Sequence, residues 1–272
     1  MTKLRTLTAL ILAPIAIAAV LLLPTPWLTA AAAVVFLVAL WEWLRLAGVE
    51  DTIAQGILLV LNLALMVALV WASRTTAGFS WVLLQMMVML GVVWWLASLL
   101  WLNRFGFDSR MAKLAAGTLA IVPAWCAGAI IHGDQPYGHR WLLAAIAIVW
   151  AADTGAYFVG RKFGRRKLAP RISPNKTIEG LAGGAVAGVA AGLALAPFAG
   201  ATLGQLPAVA LVALVAVLFS VVGDLFESLL KRHRGVKDSS HLIPGHGGLL
   251  DRVDGMVAAL PAFALGKDML GF

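Results

Sequence analysis

Two stretches of an otherwise apolar chain, 153–179 and 224–254, hold the residues that could do chemistry. In the second, Asp224, Glu227, Ser228 and Lys231 follow i, i+3, i+4, i+7, so one helical face presents two acids, a hydroxyl and an ammonium. Asp251 and Asp254 are again i, i+3. Carboxylates that close are poorly placed as bare like charges and make sense as ligands of a shared cation. An all-oxygen set, without a Cys or His cluster, favours Mg2+ over zinc.

Cations stand among these acids: Lys231, Arg232, Lys237 and Arg252. Metal-binding carboxylates interleaved with Lys and Arg are what a triphosphate requires, because phosphoryl-type transfer is catalysed largely by positioning and charge neutralisation. His246 has no partner histidine for a metal site, so contact with a phosphate or leaving group suits it better. Gly245, Gly247 and Gly248 flank it and permit backbone N–H groups to approach an anion closely. Asp153 lies eight residues before Arg161, and Asp224 seven before Lys231. Each carboxylate therefore sits roughly 10–12 Å inside its helix end. At the bilayer centre a carboxylate costs about 2.5–3.5 kcal/mol on insertion scales, so each should face a cation or substrate cavity; an interhelical ion pair is the alternative.

The elements that must position these residues are transmembrane helices. Of 272 residues 61% are hydrophobic and only 12% charged, with a mean hydropathy of +0.92. The apolar residues come in runs rather than in an amphipathic stripe. With about 20 residues per crossing, the chain predicts an all-α, polytopic transmembrane bundle of about nine spans. These are 7–23, 27–46, 55–72, 80–101, 114–131, 141–159, 178–203, 207–230 and 255–270. With the N-terminus cytoplasmic, eighteen of the 21 Lys and Arg fall on the cytoplasmic side, leaving Arg74, Arg140 and Lys267 opposite. The net charge of +8 is explained by this asymmetry, and nucleic-acid binding is not expected, since the Trp residues lie within or beside apolar runs. A single cysteine, Cys126, excludes an intramolecular disulfide and a cysteine zinc cage. The glycines dense in 178–203 read as close helix packing. The expected division is a set of N-terminal transmembrane helices, 1–140, and a C-terminal catalytic transmembrane region, 141–272, with cytoplasmic loops.

The run from Ser228-Leu-Leu-Lys231-Arg232 through Lys237-Asp238 to Pro244-Gly-His246-Gly247-Gly248-Leu-Leu-Asp251-Arg252-Val-Asp254 resembles the C-terminal signature of the phosphatidate cytidylyltransferase family. Asp153-Thr-Gly-Ala-Tyr157 and Ser173-Pro-Asn175-Lys176-Thr177 are similar to patterns of the same family. The resemblance is specific over roughly the last 120 residues; before them only the apolar spans match. It implies a multi-pass enzyme of the bacterial inner membrane, usually dimeric, with its active site facing the cytoplasm. It implies that CTP and phosphatidic acid become CDP-diacylglycerol and pyrophosphate with a divalent cation, a second cation being left open. By matching motif, Asp224, Asp251 and Asp254 would bind metal, with Asp153 added from its depth in the membrane. Lys231, Arg232, Lys237, His246 and Arg252 would contact phosphates, with Lys176, Asn175, Ser228, Gly247 and Gly248 as further substrate contacts. Two rivals stay open: a CTP- or ATP-dependent lipid kinase, and a cation-coupled transporter, whose acids would line an ion path.

Overall fold

The computed structural model describes residues 2–75, 78–104, 109–243 and 247–272. Among them nine α-helices follow in order: α1 (Thr2–Leu22), α2 (Thr25–Leu46), α3 (Thr52–Ala72), α4 (Val82–Arg104), α5 (Arg110–Gly133), α6 (Gly138–Phe163), α7 (Ile178–Leu195), α8 (Leu206–Arg234) and α9 (Leu250–Leu270). Each lies on one of the nine expected spans. Seven, α2 to α8, are long and apolar enough to cross a membrane, and the protein is a polytopic membrane bundle. α9 has the length, but Asp251, Arg252 and Asp254 crowd its first turns. Two short antiparallel hairpins add the only strands among the described residues, β1 (Arg74–Thr75) with β2 (Gly78–Phe79) and β3 (Lys167–Ala169) with β4 (Ser173–Thr177).

The largest difference from the expected spans is in α7, which stops at Leu195 rather than near 203. Pro197 has no N–H to continue the helical ladder, and the chain turns through Gly200, whose φ of +87° suits glycine. The start of α7 is fixed on both sides. The Thr177 hydroxyl oxygen accepts from Gly180 N at 3.0 Å, and the Glu179 carboxylate accepts from the Arg165 and Arg166 amides at 3.0 and 3.1 Å. The β3–β4 hairpin is thereby tied to the helix that follows it.

Polar contacts mark the two ends of the bundle. At one, α2, α8 and the start of α9 meet through Glu42, Ser239 and Asp251. At the other, Lys267 pairs with Asp134, and Arg140 donates to the Phe198 carbonyl at 3.0 Å.

Between the ends, small residues allow helices to approach closely. α7 buries Gly180, Gly184, Gly188 and Gly192 on one face, and α6 is its main partner. α8 crosses α9 at Gly223, where a Cβ would run into the Asp254 carbonyl oxygen and lie 3.1 Å from the Ala258 Cβ. This crossing sets Asp224 and Asp254, each next to the contact, beside one another. Rotation of α8 is fixed one turn further on, where Phe226 is wholly buried among four indoles. Trp43 stacks on it at 5.7 Å between centroids, while Trp94, Trp95 and Trp101 meet it edge-on at 5.4–5.9 Å.

Gly223→Val should force α8 from α9 at a cost of about 1–3 kcal/mol. The expected result is a lower Tm in detergent, whereas Gly204→Ala, placed in open space, should leave Tm unchanged.

Candidate functional site

The α8–α9 crossing gathers three carboxylates. Asp224, Glu227 and Asp254 each offer an oxygen, and these oxygens lie within 4.8 Å of one another. At that spacing each ionised pair repels by roughly 3 kcal/mol at an effective dielectric of about 20. Protein cations compensate only part of this. Lys176 of β4 forms an ion pair with Asp224, and the Ser228 hydroxyl donates to the same carboxylate at 3.3 Å. Lys231 donates to Glu227 Oε2 at 2.7 Å. Among the described residues, Glu227 Oε1 is buried with no hydrogen-bond partner. A buried carboxylate oxygen with no donor, beside two further carboxylates, is the donor set a hard divalent cation fits.

Asp251, expected beside these acids as a cation ligand, has both oxygens engaged by protein donors. Oδ1 accepts from Lys231 Nζ at 2.7 Å. Oδ2 accepts from Ser239 N and Oγ, both at 2.9 Å, and from Gly248 N at 2.8 Å. The glycine amide expected to approach an anion does so, and the anion is this aspartate. Lys231 thus bridges the acid cluster and the loop 235–249, and its own approach to a substrate phosphate would require these partners to rearrange.

A residue that the sequence reading passed over completes the arrangement. Glu42, near the end of α2, is fully buried. Its Oε1 accepts from the Ser240 hydroxyl at 2.6 Å and Leu249 N at 3.0 Å, and its Oε2 from the Ser239 hydroxyl at 2.8 Å and Leu250 N at 2.6 Å. The amides belong to the entry of α9, where helical N–H groups lack intrahelical acceptors and a negative charge is stabilised. Glu42 therefore caps α9 from another helix and fastens the loop to it. Gly248 sits between the two anions, and a Cβ there would run into the Ser239 hydroxyl and the Glu42 carboxylate. The signal in the sequence was a carboxylate inside an apolar span, the same signal that drew attention to Asp153.

Beside the cluster lies a cavity of about 560 Å3 between α6, α7, α8 and the hairpin. Asp153, Asn175, Lys176 and Asp224 line it together with Tyr157, Arg161 and small apolar residues. Both readings of the buried acids thus meet at Asp224, which pairs with a lysine and faces a cavity. Asp153 also faces the cavity. Arg232 donates through Nε to the Ile172 carbonyl at 3.2 Å, while Lys237 and Arg252 are exposed. Gly247, at a φ of +79°, pairs with Ile243 in a bridge that closes the loop. His246 lies outside the described residues.

The family profile described as the cytidylyltransferase family matches residues 3–268. A phosphatidate cytidylyltransferase of Pseudomonas aeruginosa is 41% identical over 269 residues, 97% of this chain and 96% of that protein. One of Haemophilus influenzae is 34% identical over 286 residues, 97% of this chain and 98% of that protein. One of Brucella suis is 51% identical over 130 residues, about half of either chain (48% and 47%).

Glu42→Ala should leave the Ser240 hydroxyl and the Leu249 and Leu250 amides without this acceptor, while Ser239 keeps Asp251, at about 1–3 kcal/mol for each that stays buried. Hydrogen exchange followed by mass spectrometry should show faster exchange at 248–252 and a lower Tm. Unchanged exchange there would remove the clamp from the account.

Proposed function

This chain belongs to the cytidylyltransferase family, and on that premise we propose that it moves the cytidylyl group of CTP onto the phosphate of phosphatidic acid. In this reading a phosphate oxygen of the lipid attacks the α-phosphorus of CTP. The new P–O bond gives CDP-diacylglycerol as the bond to pyrophosphate breaks. The nucleophile is already anionic near neutral pH, so no general base is needed. The task left to the protein is to bring two polyanions together and neutralise them.

The observation that carries this reading is the gathering of Asp224, Glu227 and Asp254 next to a cavity that Lys176 and Asn175 also line. Asp224, Glu227 and Asp254 would hold a divalent cation such as Mg2+, with Asp153 across the cavity as a further acid. When bound there, the cation supplies charge neutralisation for the triphosphate and its leaving group. Arg252, Lys237 and Arg232 would receive phosphate oxygens, as the family signature implies. Lys176 can turn from Asp224 to a lipid phosphate once the carboxylate has another cation to face. Asp251 is assigned to organisation, since it holds Lys231 and the loop in place. The crowding of Lys and Arg at this end supports a cytoplasmic active site in a bacterial inner membrane, where CTP is available.

Purified protein supplied with CTP labelled in the cytidine, phosphatidic acid and Mg2+ should carry label into the lipid phase, and EDTA should abolish the transfer. Asp254→Asn should lower kcat about a hundredfold or more at an unchanged Tm. Label confined to the aqueous phase while phosphate enters the lipid would turn the reading towards a kinase.

A further inference from the structure

From the last turn of α6 to the start of α7 the chain carries Arg161, Lys162, Arg165, Arg166, Lys167, Arg171 and Lys176, with no acid from 161 to 178. α6 and α7 are successive membrane-crossing helices, so the β3–β4 hairpin that joins them lies at the bilayer surface. The last turns of α6 place Tyr157, Phe158 and Phe163 outward, each more than half exposed, as aromatic side chains are placed at a lipid headgroup level. Lys162, Arg165 and Lys167 are exposed beside them. Glu179 ties the start of the hairpin to α7 through the Arg165 and Arg166 amides and the Arg166 guanidinium. The surface borders the 560 Å3 cavity, whose lining includes Tyr157, Arg161 and Leu168 from the same segment.

Positive charge needed only for topology requires neither a hairpin tied to the next helix nor a place beside a cavity. We propose that this hairpin is an anionic-lipid docking surface that gathers negatively charged phospholipid headgroups from the surrounding bilayer at the cavity entrance. The suggestion that the gathered lipid includes the acceptor substrate rests on the proposed function; the docking itself does not. Each basic side chain near an anionic surface strengthens such association on the order of fivefold. Salt weakens it, because the exposed charges are screened within about a Debye length.

The test uses Lys162→Gln, Arg165→Gln and Lys167→Gln combined, none of which touches the acid cluster. Spin-labelled phosphatidylglycerol and phosphatidylcholine in phosphatidylcholine vesicles report lipid held against the protein without any turnover. The native chain should prefer the anionic label severalfold, and the preference should fall in the triple variant or in about 0.5 M salt. In the same vesicles, the variant should raise the apparent KM for phosphatidic acid severalfold at constant kcat, and should leave the KM for CTP unchanged. Equal lipid preference in the two proteins overturns the proposal, as does a rise confined to the KM for CTP, which would make the hairpin a nucleotide surface. Lipid preference without turnover would keep the docking surface and reject the proposed reaction.

Discussion

Carboxylate crowding at the crossing of α8 and α9 is the constraint on which the rest of the arrangement depends. Gly223 lets the helix backbones approach, and the approach puts Asp224, Glu227 and Asp254 within 4.8 Å of one another. No single feature holds such a cluster together. Phe226 within its four indoles fixes the rotation of α8, Lys176 and Lys231 neutralise part of the charge, and one Glu227 oxygen finds no donor among the described residues. In the proposed function a divalent cation would complete that set, as oxygen donors suit it.

A second system keeps the first in position. Two anions, Glu42 and Asp251, draw the loop 235–249 onto the start of α9 through serine hydroxyls and backbone amides. Lys231 joins the two systems, since it donates to Glu227 on one side and Asp251 on the other. A polar loop over a bilayer would ordinarily be mobile. Here Ser239, Ser240 and Gly248 are fastened to Glu42 and Asp251, so these residues are set relative to the acids before any substrate arrives.

Much of this was legible in the sequence. Long apolar runs place helices because a membrane demands internally satisfied backbones, and all nine expected spans became helices. The i, i+3 spacing along α8 correctly put Asp224 and Glu227 on one face. It could not say which acids from α9 would join them, because Asp251 and Asp254 share a face and differ only in what the loop offers them. Asp251 meets Ser239, Gly248 and Lys231, and these contacts exist only after folding. Glu42 is marked by its charge inside an apolar span, but its role was illegible for a similar reason, since its partners lie about 200 residues away in sequence. The β3–β4 hairpin escaped notice because it depends on a side chain of the following helix, Glu179, rather than on any strand-forming pattern.

The central claim is that Asp224, Glu227 and Asp254 together form a divalent-cation site. Titration of the detergent-solubilised protein with Mn2+, followed by electron paramagnetic resonance, tests it without reference to turnover. The account expects saturable binding in the native chain that is lost in Glu227→Gln while the helical content and Tm are kept. Folded native protein that binds no Mn2+, or a Glu227→Gln variant that binds it as tightly as the native chain, would contradict it.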